Sequence, residues 1–242
     1  MRPAPTGTAR LLACGLMGPI LLVAGVLAQD ALRPGYNPLR QFVSHLSLGP
    51  HGWMNSVLLV VSGGLVALFA VGFRRVQQRD RRARAIWMPV CVLGVGLMAA
   101  GVFTIDPGLG YPPGSQPQHA SWHGTVHDIA GGIVFLAAVA ATVMTGRRIA
   151  GSGRRRTLAN MSYGVAMMIV ILFALTSVLA GLDYAGSYRP GLAGLAERAY
   201  LTTTLLWVMA LARQALRAAA TTSAHGETRS GSAPALADFH QT

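Results

Sequence analysis

The sequence predicts an all-α polytopic membrane protein, a bundle of six transmembrane helices with both termini in the cytoplasm. Of its 242 residues, 52% are hydrophobic and only 12% are charged. A soluble domain carries about 25% charged residues, so too few charges are present to cover a water-facing surface. Disorder is also excluded, because it requires few apolar residues and many charges. All twenty basic residues are Arg, and most of them lie between long apolar runs.

Six apolar runs approach the length of about 20 residues that a helix needs to cross the hydrocarbon core. They are 11–29, 53–73, 85–105, 129–146, 157–182 and 195–212. The sixth run is the weakest, because Glu197 and Arg198 lie in its first turn. The first is longer than the apolar core of a signal peptide, about 7–15 residues, so we expect it to be retained as a helix.

The domain organisation follows from these runs. We expect a cytoplasmic N-terminus over 1–10, a transmembrane domain over 11–212 and a disordered cytoplasmic tail over 213–242, because the last segment is small and polar. Helix packing is expected to use small residues, among them Gly63, Gly94, Gly131 and Gly132.

The arginines set the direction of insertion. Two lie in the N-terminus, six in the second loop, five in the fourth loop and three in the C-terminal part, whereas only Arg33, Arg40, Arg189 and Arg198 lie on the other side. Because basic residues favour the cytoplasmic side, loops one, three and five should face outward. The arginines therefore indicate orientation, and we expect no nucleic-acid partner. The alternative is that loops two and four form a binding patch for nucleic acid or anionic lipid.

Acidic and imidazole side chains are absent from the middle of every predicted span, which argues against ion-coupled transport and against a haem held between helices. They gather instead at the predicted outer end. The group comprises Asp30, Asp106, Asp128, Asp183, Glu197, His45, His51, His119, His123 and His127. We therefore expect the working surface at that end.

A metal site is one interpretation of these histidines. His119, His123 and His127 are spaced four apart, and residues four apart on a helix share a face, as in the H-E-x-x-H pair of zinc proteases. On this interpretation His51, His123 and His127 hold zinc. Asp106 orients a metal-bound water, and Ser47, four residues before His51, is a second catalytic candidate. The alternative is that the histidines form a structural polar network or lie beside a helix cap.

A head-group site is the other interpretation of the polar residues. Glu197 and Arg198 open the sixth helix, and neither belongs in lipid. Arg40 can hold a phosphate or carboxylate, and Tyr36 lies in a compact Pro-Gly loop. The alternative is that Glu197 and Arg198 form structural ion pairs with Arg33, Arg40, Asp183 or residues near each other.

Several motifs together resemble a known family. They are Tyr36-Asn37-Pro38-Leu39, Ser44-His45-Leu46-Ser47, Gly52-Trp53 with Asn55, Gly101 to Pro107, His123 to Asp128, and Gly194 to Arg198 with Trp207. The combination resembles the bacterial and archaeal membrane family catalogued as domain of unknown function 998, over roughly residues 11–212. The resemblance implies a six-helix bundle in the cytoplasmic membrane and brings no established reaction.

A looser similarity is to membrane zinc hydrolases of the alkaline ceramidase and adiponectin-receptor type. Those proteins use a Ser-x-x-x-His element, an Asp and a His-x-x-x-His element around zinc. Ser47 to His51, Asp106 and His123 to His127 supply the same parts in the same order. The departure is that the relatives have seven helices and carry the last pair on the final one, whereas here it lies on the fourth.

Three functions are therefore compatible with the sequence. The leading hypothesis is binding or handling of a small amphiphile or lipid head group at the outer membrane face, through Tyr36, Arg40, Glu197, Arg198 and the Asp–His cluster. The first alternative is a metal-dependent membrane hydrolase that uses the His123–His127 pair and zinc. The second is a non-catalytic accessory or assembly subunit. The sequence defines no oligomeric state.

Overall fold

The described part of the protein, in a computed structural model, comprises residues 6–78, 80–115, 120–151, 156–189 and 191–230. Within these ranges there are seven α-helices, one 3-10 helix and no β-strand. The α-helices are α1 (Thr6–Leu32), α2 (Gly52–Val76), α3 (Arg81–Ala85), α4 (Trp87–Val102), α5 (Trp122–Gly151), α6 (Arg156–Tyr184) and α7 (Ala193–Ser230). The 3-10 helix covers Val43–Ser47 in the first loop.

Five segments are long and apolar enough to cross a membrane: Gly7–Leu32, Gly52–Val76, Arg81–Val102, Trp122–Gly151 and Arg156–Tyr184. The all-α membrane fold predicted from the sequence is thereby confirmed. Helix α7 contains the sixth predicted run but is not among the five. Its crossing, like the direction of insertion, stays a prediction.

The six long helices form a ring in chain order. Each packs against the next long helix in the sequence, and α7 closes the ring against α1. Helices α2 and α4 approach closely, because a Cβ added to Gly63 would lie only 2.5 Å from the carbonyl oxygen of Gly94. Phe69 and Phe73 of α2 are fully buried in the core. Gly131 and Gly132 are different, since a Cβ at either meets nothing within 4 Å, so they do not mediate the packing we expected.

Helix α7 continues beyond the predicted end of the sixth run at residue 212 and reaches Ser230. Residues 213–230, which we predicted to be part of a disordered tail, are therefore helical. This segment carries many Ala residues, which have the highest helix propensity. Residues 231–242 lie outside the described residues.

Candidate functional site

One end of the bundle carries the residues singled out by the sequence. There α1, α4 and α6 end and α2, α5 and α7 begin; we call it the first-loop end, after the loop 33–51. Its loops pack on each other. The Tyr36 and Tyr111 rings meet edge to face with centroids 5.2 Å apart, and the Gln41 amide donates to the Leu109 carbonyl over 3.3 Å. The first and third loops therefore form one folded layer over the helices.

Arg198 donates hydrogen bonds to three residues of α1 and the first loop. Its Nε and Nη2 donate to the two carboxylate oxygens of Asp30 over 3.0 and 2.7 Å. Nη2 also donates to the Tyr36 hydroxyl over 2.5 Å, and Nη1 donates to the Gln41 carbonyl over 2.9 Å. Burial raises the pKa of Tyr36 above its ordinary value, so the phenol stays protonated. Arg198 and Tyr36 thus connect α1, the first loop and α7.

Arg40 is likewise engaged with a single carboxylate. It makes a bidentate contact with Asp183 over 2.6 and 2.8 Å, and the Asp183 side chain is only 1% exposed. The hydrogen bond to Asp183 holds the pKa of Arg40 above its ordinary value. The guanidinium of Arg40 therefore fixes the first loop to the end of α6.

Asp106 lies at the N-terminus of α5. Its carboxylate accepts the Ser121 amide over 2.8 Å and the Ser121 hydroxyl over 2.6 Å. The Ser121 hydroxyl in turn accepts the Gly124 amide over 3.0 Å. Such side-chain acceptors satisfy amides that a helix start leaves unpaired. Asp106 consequently anchors the start of α5.

The two histidines of the predicted pair have different surroundings. His127 is buried, and its Nδ1 lies 3.0 Å from the Ala100 carbonyl and 2.8 Å from the Phe103 carbonyl. His123 is exposed and its ring lies 3.6 Å from that of Trp122. Two carbonyl acceptors require a proton on Nδ1 of His127.

Ser47 and His51 also differ in burial, as His127 and His123 do. The Ser47 hydroxyl accepts the Asn55 amide over 2.9 Å inside the core. His51 is exposed, and its carbonyl accepts from Arg33 over 3.0 Å.

The described ranges contain no group of three or more His, Cys, Asp or Glu side chains placed to hold a metal ion. His119, the third member of the predicted His series, lies outside them. The ligand set of His51, His123 and His127 is therefore not gathered around a common point.

A cavity of about 310 Å³ lies beneath the loop layer, bordered by α2, α4, α5, α6 and α7. Its walls include Leu59, Leu97, Val134 and Phe173. The polar groups along it are Ser44, His127, Asp128, Thr176, Ser177, Glu197 and Tyr200. Ligand pockets are typically apolar with a few placed polar groups, and their volumes start at about 300 Å³.

The carboxyl groups along the cavity form no ion pair with any described basic side chain. Glu197 Oε2 accepts the Val43 amide over 2.6 Å, whereas the neighbouring guanidinium of Arg198 is paired with Asp30. Within the described part of the chain, no ion pair joins Glu197 or Asp128 to a basic side chain. Among the described residues, neither carboxyl group along the cavity is therefore neutralised by a direct ion pair.

Tyr200 is a further residue of this cavity, which sequence reasoning missed. Its hydroxyl is buried and has no hydrogen-bond partner in the structure. Because buried polar groups are normally paired, an orphaned hydroxyl beside a cavity favours a ligand atom there. A helical spacing could have found it, since Glu197, Tyr200 and Leu201 lie three and four apart on α7.

These features define a class: an all-α membrane protein whose helices border an apolar cavity with acidic groups at one end. The chain belongs to the family described as protein of unknown function (DUF998), whose model matches residues 16–214. No curated protein and no solved structure matches it.

Proposed function

We propose that the protein binds a small amphiphile in the cavity at the first-loop end, with a head group that donates hydrogen bonds or carries a positive charge. Glu197 is the main support for this proposal. A carboxylate in apolar surroundings is costly unless it is paired, and one backbone amide is the only bond its oxygens receive within the described residues. An ammonium head group supplies the missing charge and donors.

The tail of the amphiphile lies along the apolar wall. Leu97 and Phe173 border the cavity, and burial of each methylene contributes about 0.8 kcal/mol. The cavity volume of about 310 Å³ suits a short single-chain molecule. The nearby Asp128 carboxyl and Tyr200 hydroxyl offer further acceptors to the same head group.

The amphiphile reaches the cavity from the side, between α5 and α6. Gly131 and Gly132 border it there and have open space where a Cβ would be. Ile133 and Val178, next to this wall, are 42% and 58% exposed, as expected of a surface in contact with lipid. A bilayer-dissolved ligand therefore needs no passage through the loop layer.

The test compares decylammonium with decanol, which share a tail and differ in charge. Each is titrated into the full-length protein in a neutral detergent, and the rise in unfolding temperature is converted to an apparent Kd. We expect the amine to bind at least about tenfold more tightly, because hydrogen bonds to charged groups contribute more than neutral ones. Equal stabilisation by both compounds would contradict the proposal.

Two variants, each with a matched control, locate the binding site. Glu197→Gln keeps an acceptor for the Val43 amide but removes the charge, so it should abolish the preference for the amine. Asp80→Asn, at the opposite end of the bundle, is the matched control and should keep it. Gly131→Leu should weaken the binding of both compounds, because the new side chain fills the opening. Gly164→Leu, also in open space, should weaken the binding of neither.

A further inference from the structure

A second cleft lies at the opposite end of the bundle, where α2 ends and α3 begins. Its volume is about 490 Å³, and its lining residues are Val71, Arg74, Arg75, Gln78 and Arg84. We propose that this cleft binds the phosphate head group of an anionic phospholipid. The proposal is independent of the cavity at the first-loop end.

The α2–α3 connection positions Arg84. The Asp80 carboxylate accepts the Ala83 amide over 3.0 Å and so caps α3, and it receives Arg148 of α5 over 3.0 Å. The Ala83 amide and Arg148 lower the pKa of Asp80, so the carboxylate is charged at neutral pH. Asp80 therefore holds the short helix that carries Arg84 against α5.

The three arginines of the cleft have no carboxylate partner among the described side chains. Over the ranges that the structure describes, no carboxylate forms an ion pair with Arg74, Arg75 or Arg84. Arg74 lies over the Trp87 ring at 4.8 Å, which restrains its guanidinium at the edge of the cleft. Planar guanidinium groups match phosphate oxygens with paired hydrogen bonds. Three of them around one cleft favour a phosphate ligand.

The surface of α2 favours a lipid as the source of that phosphate. Val61, Leu68 and Arg75 are spaced seven apart, two helical turns each, and so share one face. Val61 and Leu68 are 44% and 47% exposed, so this face is apolar and unpartnered until it reaches the cleft. An acyl chain along the face brings the head group of the same molecule to Arg75.

The experiment titrates dihexanoyl phosphatidylglycerol into the full-length protein in a neutral detergent, followed by calorimetry. Dihexanoyl phosphatidylcholine and inorganic phosphate are titrated in parallel. We expect one saturable site for phosphatidylglycerol, with the other two ligands at least about tenfold weaker. If inorganic phosphate binds as tightly as phosphatidylglycerol, the ligand is the free anion and the lipid assignment is wrong.

Variants distinguish the cleft from the general positive charge of this end. Arg75→Gln with Arg84→Gln should weaken phosphatidylglycerol binding by roughly 25-fold, since each basic residue near an anionic lipid contributes about fivefold. Arg81→Gln with Arg147→Gln removes the same charge from exposed positions outside the cleft and should change binding by less than about threefold. Equal losses in the two double variants, or no saturable binding in the wild type, would overturn the proposal.

Discussion

Arg40 and Asp183 form a bidentate ion pair although 143 residues separate them in the sequence. The Asp183 carboxylate also accepts the Gly191 amide over 2.9 Å. One carboxylate therefore joins the first loop, the end of α6 and the last loop. This contact holds together the layer that covers the cavity.

Arg40→Gln should lower the free energy of unfolding by about 3 kcal/mol, because the buried Asp183 carboxylate keeps only the Gly191 amide and the longer, exposed contact of Arg189 at 3.8 Å. Arg148→Gln is the matched control, since Arg148 and its partner Asp80 are 34% and 44% exposed and such pairs contribute at most about 1 kcal/mol. Unfolding in mixed micelles measures both. Similar losses in the two variants would mean that the Arg40–Asp183 pair is not effectively buried.

Local patterns in the sequence predicted the helices but not the polar contacts between them. Apolar runs and arginine-rich loops identify the long helices because the membrane imposes length and hydrophobicity on each segment separately. The pairing of Arg40 with Asp183 and of Arg198 with Asp30 depends on which distant segments of the chain pack together. Several acids at the same end were equivalent candidates from the sequence alone.

The histidine pair shows the same limit at shorter range. Residues four apart share a helix face, yet His127 is buried against the end of α4 while His123 is exposed one turn earlier. The face is common, but its neighbours differ, because His127 meets the Ala100 and Phe103 carbonyls at the end of α4 whereas His123 lies beside the ring of Trp122. Spacing therefore predicted the face and could not predict the burial.

Alanine at the two histidines separates a structural role from a metal site. His127→Ala should lower the free energy of unfolding by about 1–3 kcal/mol, since the Ala100 and Phe103 carbonyls lose a buried donor. His123→Ala should change it by less than about 0.5 kcal/mol, as for other surface positions. If both substitutions instead release stoichiometric zinc from the purified protein, the metal interpretation is correct.

Gly124 tests the anchor at the start of α5. A Cβ there would collide with the Asp106 carboxylate, so Gly124→Ala should displace Asp106 from Ser121 and cost about 1–2 kcal/mol, the magnitude of a lost cap. Gly164→Ala is the control, because its Cβ meets nothing within 4 Å. It should leave stability equal or higher, by up to about 1 kcal/mol, through helix propensity. A loss at both positions would argue against a specific collision at Gly124.

The last prediction concerns pH and the buried ring of His45. Its Nδ1 accepts the Phe42 amide over 3.0 Å, and Nε2 is buried without a partner. Burial is the main cause that lowers the pKa of His45 to about 3. The folded protein therefore keeps this ring neutral at pH values where the unfolded chain, with a pKa near 6.5, takes up a proton.

Stability contributed by the neutral His45 ring is complete above about pH 6.5 and falls as the pH decreases towards 3, by about 1.4 kcal/mol per pH unit. His45→Asn retains an acceptor for the Phe42 amide but does not titrate. The free energy of unfolding should decrease between pH 7.0 and pH 4.5 in both proteins. The decrease should be about 2.5 kcal/mol smaller in the variant than in the wild type. His51→Asn, at an exposed position, should follow the wild type. If the stability of His45→Asn depends on pH as strongly as that of the wild type, groups other than His45 cause the pH dependence.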